Sequence, residues 1–197
     1  MSTRVAERLI TAEEFAQMPE SRGAELVRGR IVWPGVSEEP VNNWQHARLL
    51  MRLCLLFGSY AQRQRVGEFF AGDPGMIVKR GPDTARGPDL AFVAADRTGA
   101  VPQTGFSDVV ADLVIEILSP SDTMVNVHAK VREYLKAGVR VVWIADSEGE
   151  NVLEFRSRAA VRMFEGDDVL EAQDVLPGFR WPVRDLFDFA KSPLYPE

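Results

Sequence analysis

The apolar positions of the chain are densest at Leu113-Val114-Ile115-Glu116-Ile117-Leu118. A continuous aliphatic and β-branched run, closed by Pro120, predicts a strand buried on both faces and therefore central in a sheet. Glu116 interrupts that run. A buried carboxylate is costly unless it is paired, protonated or bound to a cation. A structural ion pair, a strand end open to solvent and a functional site all satisfy that condition.

The rest of the pattern predicts a sequence of short elements. Thr11-Ala12-Glu13-Glu14 has the form of a capping box, with a helix to about Met18 and a stop at Pro19. Glu25 to Trp33 reads as a hairpin turning at Arg28-Gly29. Pro34, Gly35 and Pro40 mark a loop. From about Val41 to Arg63 the period becomes helical, with Trp44, Ala47, Leu50, Met51, Cys54, Leu55 and Gly58 on the expected inward stripe. His46 falls in the first turns of that helix, where a surface or capping histidine is the plainer reading. Residues 68–71 and 76–79, separated by Gly72-Asp73-Pro74-Gly75, predict a second hairpin. The stretch 81–87 reads as a turn-rich approach to a strand over 88–94, and Asp89 stands at that strand's entry behind Pro88. Residues 95–111 read as a connecting loop.

Beyond Pro120 a helix is expected from about Met124 to Ala137, with Gly138 as its stop. Val127, Val131, Tyr134, Leu135 and Gly138 form its inward stripe. Lys130 lies on the edge of that stripe, where an apolar stem carries the amine toward a site, or simply out to solvent. Arg132, Glu133 and Lys136 are expected to point elsewhere. Val139 to Asp146 reads as another buried strand, and the strand–helix–strand spacing predicts a parallel pair. Residues 151–157, 161–165 and 168–172 read as an antiparallel meander, 186–189 as a last helical turn, and 193–197 as a loose tail.

Composition narrows the class. A chain of 197 residues, 46% hydrophobic and 26% charged, suits one globular domain over 1–197 with its core at about 11–190. A net charge of −6 excludes coating of nucleic acid by bulk charge, yet suits an enzyme whose acids hold a metal. The single Cys54, read as a buried helical thiol, forms no intrachain disulfide. A reducing, cytoplasmic location is the matching expectation. No apolar run approaches the roughly 18 residues of a membrane span, and the N-terminus carries no apolar leader region. Trp33 and Trp181 offer apolar surface for a homo-oligomer such as a homodimer, or fill the core.

Asp89, Glu116 and Lys130 together carry the candidate chemistry. Two carboxylates on neighbouring strands are able to share a divalent cation, since magnesium takes oxygen ligands and keeps several waters. Such an ion activates a bound water and neutralises charge on a phosphoryl transition state. A nearby lysine orients the water or stabilises the phosphate.

The order Pro88-Asp89, then Glu116-Ile117-Leu118, resembles the PD-(D/E)XK nuclease superfamily. More closely, the chain resembles the Uma2 family (DUF820) of restriction endonucleases. The matching pieces are Glu25-Leu26-Val27-Arg28-Gly29-Arg30, the His46 helix, Arg86-Gly87-Pro88-Asp89, the Glu116 strand with Ser119-Pro120-Ser121, Lys130 with Tyr134, and Ala137 to Ile144. The resemblance implies an α/β fold of mixed α+β type: a restriction-endonuclease-like core with a central mixed β-sheet flanked by helices, an N-terminal hairpin and a C-terminal antiparallel meander. It implies DNA as substrate and Mg2+ or Mn2+ as cofactor. Asp89 and Glu116 would be the metal ligands, Glu25 and His46 additional site residues, and Lys130 the catalytic lysine. The superfamily pattern puts that lysine two residues after the glutamate, where this chain has Leu118. Catalytic endonuclease and nuclease-fold binding or regulatory module therefore both stand as expectations.

Overall fold

The computed structural model describes residues 8–33, 44–120 and 122–196. Along them run α1 (Ala12–Ala16), β1 (Glu25–Val27), β2 (Arg30–Val32), α2 (Trp44–Gln64), β3 (Gly67–Ala71), β4 (Met76–Lys79), β5 (Thr84–Arg86), β6 (Leu90–Ala94), β7 (Leu113–Ile117), α3 (Met124–Ala137), β8 (Val141–Asp146), β9 (Asn151–Phe155), β10 (Val161–Glu165), β11 (Val169–Leu170), β12 (Trp181–Pro182) and α4 (Val183–Phe187). The loop expected around Pro34, Gly35 and Pro40, the helix start at Val41, and Ser121 lie outside the described residues.

The strand that carries Glu116 is the centre of the molecule. A six-stranded sheet runs in the order β10-β9-β8-β7-β6-β3, and all five residues of β7 are buried. β7 and β8 are parallel and joined by α3, as the spacing predicts, whereas β6 lies antiparallel on the other side of β7. The sheet is therefore mixed. Its strands alternate sides, as a pleat requires. Leu113, Ile115 and Ile117 pack with Leu53 and Phe57 of α2, and Val114 packs with Val127, Val131 and Tyr134 of α3. Glu116, two residues beyond Val114, therefore faces the α3 side.

The ends of α1 and α3 follow local chemistry. Thr11 and Glu14 close the reciprocal capping box that starts α1. Thr123 caps α3 by accepting from the Asn126 N–H, and Gly138 ends it in the left-handed region at φ 110°.

A second, smaller sheet has the order β2-β1-β5-β4. Phe15 of α1 stacks on Phe106 in the cluster that covers it, and β4 packs against α3. The N-terminal hairpin turns where expected, between β1 and β2. Its partner β5 was expected as a turn: three residues, two of them polar, carry too little pattern to read as a strand.

Three further expectations are corrected. Residues 68–71 and 76–79 do not pair with each other. β3 joins β6 in the large sheet and β4 joins β5 in the small one, because Gly72 and Asp73, both at positive φ, turn the chain away from β3. β9 and β10 form the expected antiparallel pair, but β11 leaves them to pair with β12. The inward face of α2 is also different. Leu49, Leu53, Leu56, Phe57, Tyr60 and Ala61 are buried, whereas Trp44 is 85% and Met51 61% exposed. From Leu49 to Phe57 every residue but Arg52 is apolar or a cysteine, so the period of that stretch alone does not choose a side. The aromatic pair Phe57 and Tyr60, which meet Phe179 in a tilted and an edge-to-face contact respectively, choose it.

Cys54 is half-buried rather than enclosed, and burial raises its thiol pKa. Among the described residues no helix is long and apolar enough to cross a membrane.

Candidate active site

The register of the central sheet brings the two predicted carboxylates together. Leu90 of β6 lies opposite Ile115 of β7. One residue further along that antiparallel pair, Asp89 meets Glu116 at the same end of the sheet. Asp89 Oδ2 accepts the Ile117 N–H at 2.7 Å, which ties its side chain to the end of β7. Asp89 Oδ1 lies 3.0 Å from His46 Nε2, so α2 reaches the same point from the other face. That hydrogen bond to Asp89 is the main reason the His46 imidazole is held above its ordinary pKa.

Glu116 is held by α3. Lys130 Nζ donates to Oε2 at 3.2 Å and the Tyr134 hydroxyl donates to Oε1 at 2.6 Å. Burial, reinforced by Asp89 and Glu25, outweighs the opposing pull of Lys130 and pushes the Glu116 pKa up to about 7. Burial acts downward on Lys130, yet the Glu116 and Glu25 carboxylates more than offset it and hold the amine charged.

The smaller sheet supplies a second layer of charge. Glu25 of β1 reaches the site, with Oε1 at 3.7 Å from Lys130 Nζ, while its Oε2 accepts from Arg86 of β5. Arg86, whose side chain is 8% exposed, also donates to Glu133 Oε2 from Nε at 2.8 Å and Nη2 at 2.6 Å. Glu133 thus does not point away, as its place on the helical wheel suggests, but closes a chain that runs Glu133–Arg86–Glu25–Lys130–Glu116–Tyr134. Asp73, at the tip between β3 and β4, completes the surroundings. The surrounding protein and the Asp89 charge raise its pKa. A Cβ on Gly87 would come within 2.9 Å of Asp73, so the glycine lets this loop close on the strand that carries Asp89.

The sequence singled out Asp89, Glu116 and Lys130, and the family resemblance added Glu25 and His46; the structure brings all five close together at one end of the central sheet. Sequence reasoning missed Arg86, Glu133 and Asp73 and gave Tyr134 no role. Tyr134 had a signal, an inward hydroxyl four residues after Lys130. Arg86 had no local signal, since its partners, Glu25 on the neighbouring strand β1 and Glu133 on α3, are far from it in the chain.

The donor set fits a hard divalent cation. Asp89 and Glu116 offer oxygen ligands side by side, and the carboxylates of Glu25, Asp73, Asp89, Glu116 and Glu133 outnumber the two permanent cations, Lys130 and Arg86, that face them. Among the described residues no three His, Cys, Asp or Glu side chains gather to hold an ion unaided. Two carboxylates with several waters is the way magnesium is commonly held.

A family model, Uma2, described as "putative restriction endonuclease", matches residues 12–184. The chain belongs to the Uma2 family. A solved structure of a "putative nuclease belonging to DUF820" from Anabaena variabilis aligns with a TM-score of 0.74 at 22% identity. The alignment covers 90% of this chain and 97% of that one, which shows that the two share a fold. No curated protein matches the sequence. In this Uma2 chain the position two residues after Glu116 is Leu118, and the amine beside the glutamate comes instead from α3, fourteen residues on.

Proposed function

We propose that this Uma2 protein is an endonuclease that hydrolyses DNA phosphodiester bonds with Mg2+ or Mn2+. The observation that carries the reading is the Lys130 amine at 3.2 Å from Glu116, on the carboxylate that stands beside Asp89. Asp89 and Glu116 would hold the ion. A bound divalent ion lowers the pKa of its water and neutralises charge on the phosphoryl oxygens. The Ile117 N–H and His46 fix the Asp89 carboxylate, which would be held ready for the ion. Lys130 would stabilise the negative charge that builds on the phosphate as the water oxygen bonds to phosphorus and the ester P–O bond breaks. The proton lost by the water balances the one taken up by the leaving oxygen. Glu25, itself held by Arg86, pairs with Lys130 from behind.

A second reading, a nuclease-fold protein that binds nucleic acid or regulates without turnover, is favoured by Leu118 and by the engagement of the Lys130 amine with two carboxylates. Cleavage of supercoiled and linear DNA with and without Mn2+, against Glu116→Ala, separates the two. Mn2+-dependent nicking that Glu116→Ala abolishes supports the endonuclease. Retarded DNA mobility without any cleavage, the same in parent and variant, supports the binding module.

A further inference from the structure

Lys130 and Tyr134 stand one helical turn apart on α3, so their side chains share a face. Each donates to a different oxygen of Glu116. Tyr134 is completely buried. Filling the core requires only the ring, and phenylalanine would supply it. The hydroxyl is a polar atom whose burial is unfavourable unless it is bonded. Tyr60, the other fully buried tyrosine, gives its hydroxyl to the main-chain carbonyl of Pro177. Tyr134 gives its hydroxyl to a carboxylate.

The neighbouring carboxylate is held in the same manner. Asp89 has one non-titrating donor, the Ile117 N–H, and one ionisable partner, His46. Glu116 has the Tyr134 hydroxyl and Lys130. The four oxygens are thus each engaged once, from strand, helix and helix. An ionised carboxylate has about four acceptor sites, so each group retains capacity for a cation while its orientation is fixed.

We propose that Tyr134 is a positioning residue: with Lys130 it clamps Glu116 from both oxygens and sets its carboxylate, beside Asp89, in the orientation that binds a divalent ion. The proposal rests on the metal-site reading given above. Without the hydroxyl Oε1 loses its donor, and Glu116 turns toward Lys130 alone. Loss of such an outer partner typically costs about 10- to 100-fold in metal affinity.

The test compares the full-length parent, Tyr134→Phe and Glu116→Gln, using Mn2+ alone as the probe. Affinity is read by titration calorimetry and by the electron paramagnetic resonance signal of free Mn2+, at a temperature well below melting in chelator. Tyr134→Met is a second apolar replacement, for use where the phenylalanine variant does not fold. The expected result is cooperative unfolding of the variant in chelator, Mn2+ affinity lowered at least about tenfold, and a lower kcat on supercoiled plasmid with KM unchanged. Parental Mn2+ affinity in a folded Tyr134 variant overturns the clamp while leaving the metal site in place. A parent that binds no Mn2+ overturns the metal site and the clamp with it.

Discussion

Glu116 and Tyr134 sit on consecutive elements, β7 and α3, and meet through a 2.6 Å hydrogen bond between a fully enclosed hydroxyl and a buried carboxylate. The contact exists because Val114 and Glu116 share one face of the strand, and α3 lies on that face. A carboxylate in that place depends on its partners, and several consequences can be measured.

Metal-free stability should fall as pH rises through the acidic range. The folded state holds the Glu116 proton up to about 7, against an ordinary value of 4.5. A raised acid pKa contributes stability that is complete below 4.5 and is lost by about pH 7. The interval between those values corresponds to about 3 kcal/mol at most. Urea melts in chelator at pH 5 and pH 8 measure it, with a contribution lower at pH 8 as the expected outcome.

Mn2+ should restore what the deprotonated site loses. A ligand bound only by the folded state raises its melting temperature, and the ion competes with the proton for Glu116. The Mn2+-induced shift should be larger at pH 8 than at pH 5, and calorimetric scans at both values decide it.

Glu116→Gln should fold and should not bind Mn2+. Its amide oxygen still accepts from Tyr134, and it removes a like charge from beside Asp89. In chelator at pH 8 it should melt at or above the parental temperature. A clearly lower melting temperature would mean that the pair with Lys130 is chiefly structural.

Lys130→Met keeps the stem of the side chain and removes the amine. DNA cleavage should fall on the order of 100-fold, the scale of losing one preorganised donor to a transition state. Plasmid nicking rates measure it, and parental cleavage would place Lys130 outside the reaction.

Arg86→Met should be the most destabilising change near the site. It leaves Glu25 and Glu133 without their shared cation, and breaking a buried pair typically costs about 3–5 kcal/mol. Adding Glu25→Gln in that background should recover part of the loss in urea melts.

How much of this was legible in the sequence depended on whether the signal was local. The Glu116 strand, the α3 helix with its Gly138 stop, the Thr11 capping box and the Arg28-Gly29 turn all announce themselves within a few residues, and all are present. Glu116 stood out as an acid interrupting an apolar strand, and Asp89 as an acid at a strand's entry behind Pro88. The pairing of β3 with β6 was not legible, because Gly72-Asp73-Pro74-Gly75 looks the same whether the chain folds back or crosses to another sheet. The buried face of α2 was not legible either, since Leu50, Met51, Leu53, Leu55 and Leu56 satisfy more than one stripe. Truncating Leu53 to alanine should cost about 2–5 kcal/mol, whereas Trp44→Ala should leave urea midpoints near the parental value, and this contrast checks the corrected face. Arg86 stayed hidden because its partners come from β1 and α3, which are distant from it in the chain.

The division of the strands between two sheets ties the candidate site to the docking of those sheets. β1 and β5 deliver Glu25 and Arg86 from one sheet, β7 delivers Glu116 from the other, and α3 is wedged between them with Lys130 and Glu133. Glu25 and Arg86 pair within the small sheet, and each also reaches a charge on α3, Lys130 and Glu133 respectively. Amide hydrogen exchange should therefore find β1 and β5, the short inner strands of the small sheet, opening together with α3 rather than ahead of it, because detaching that sheet breaks the Arg86–Glu133 and Glu25–Lys130 contacts at once.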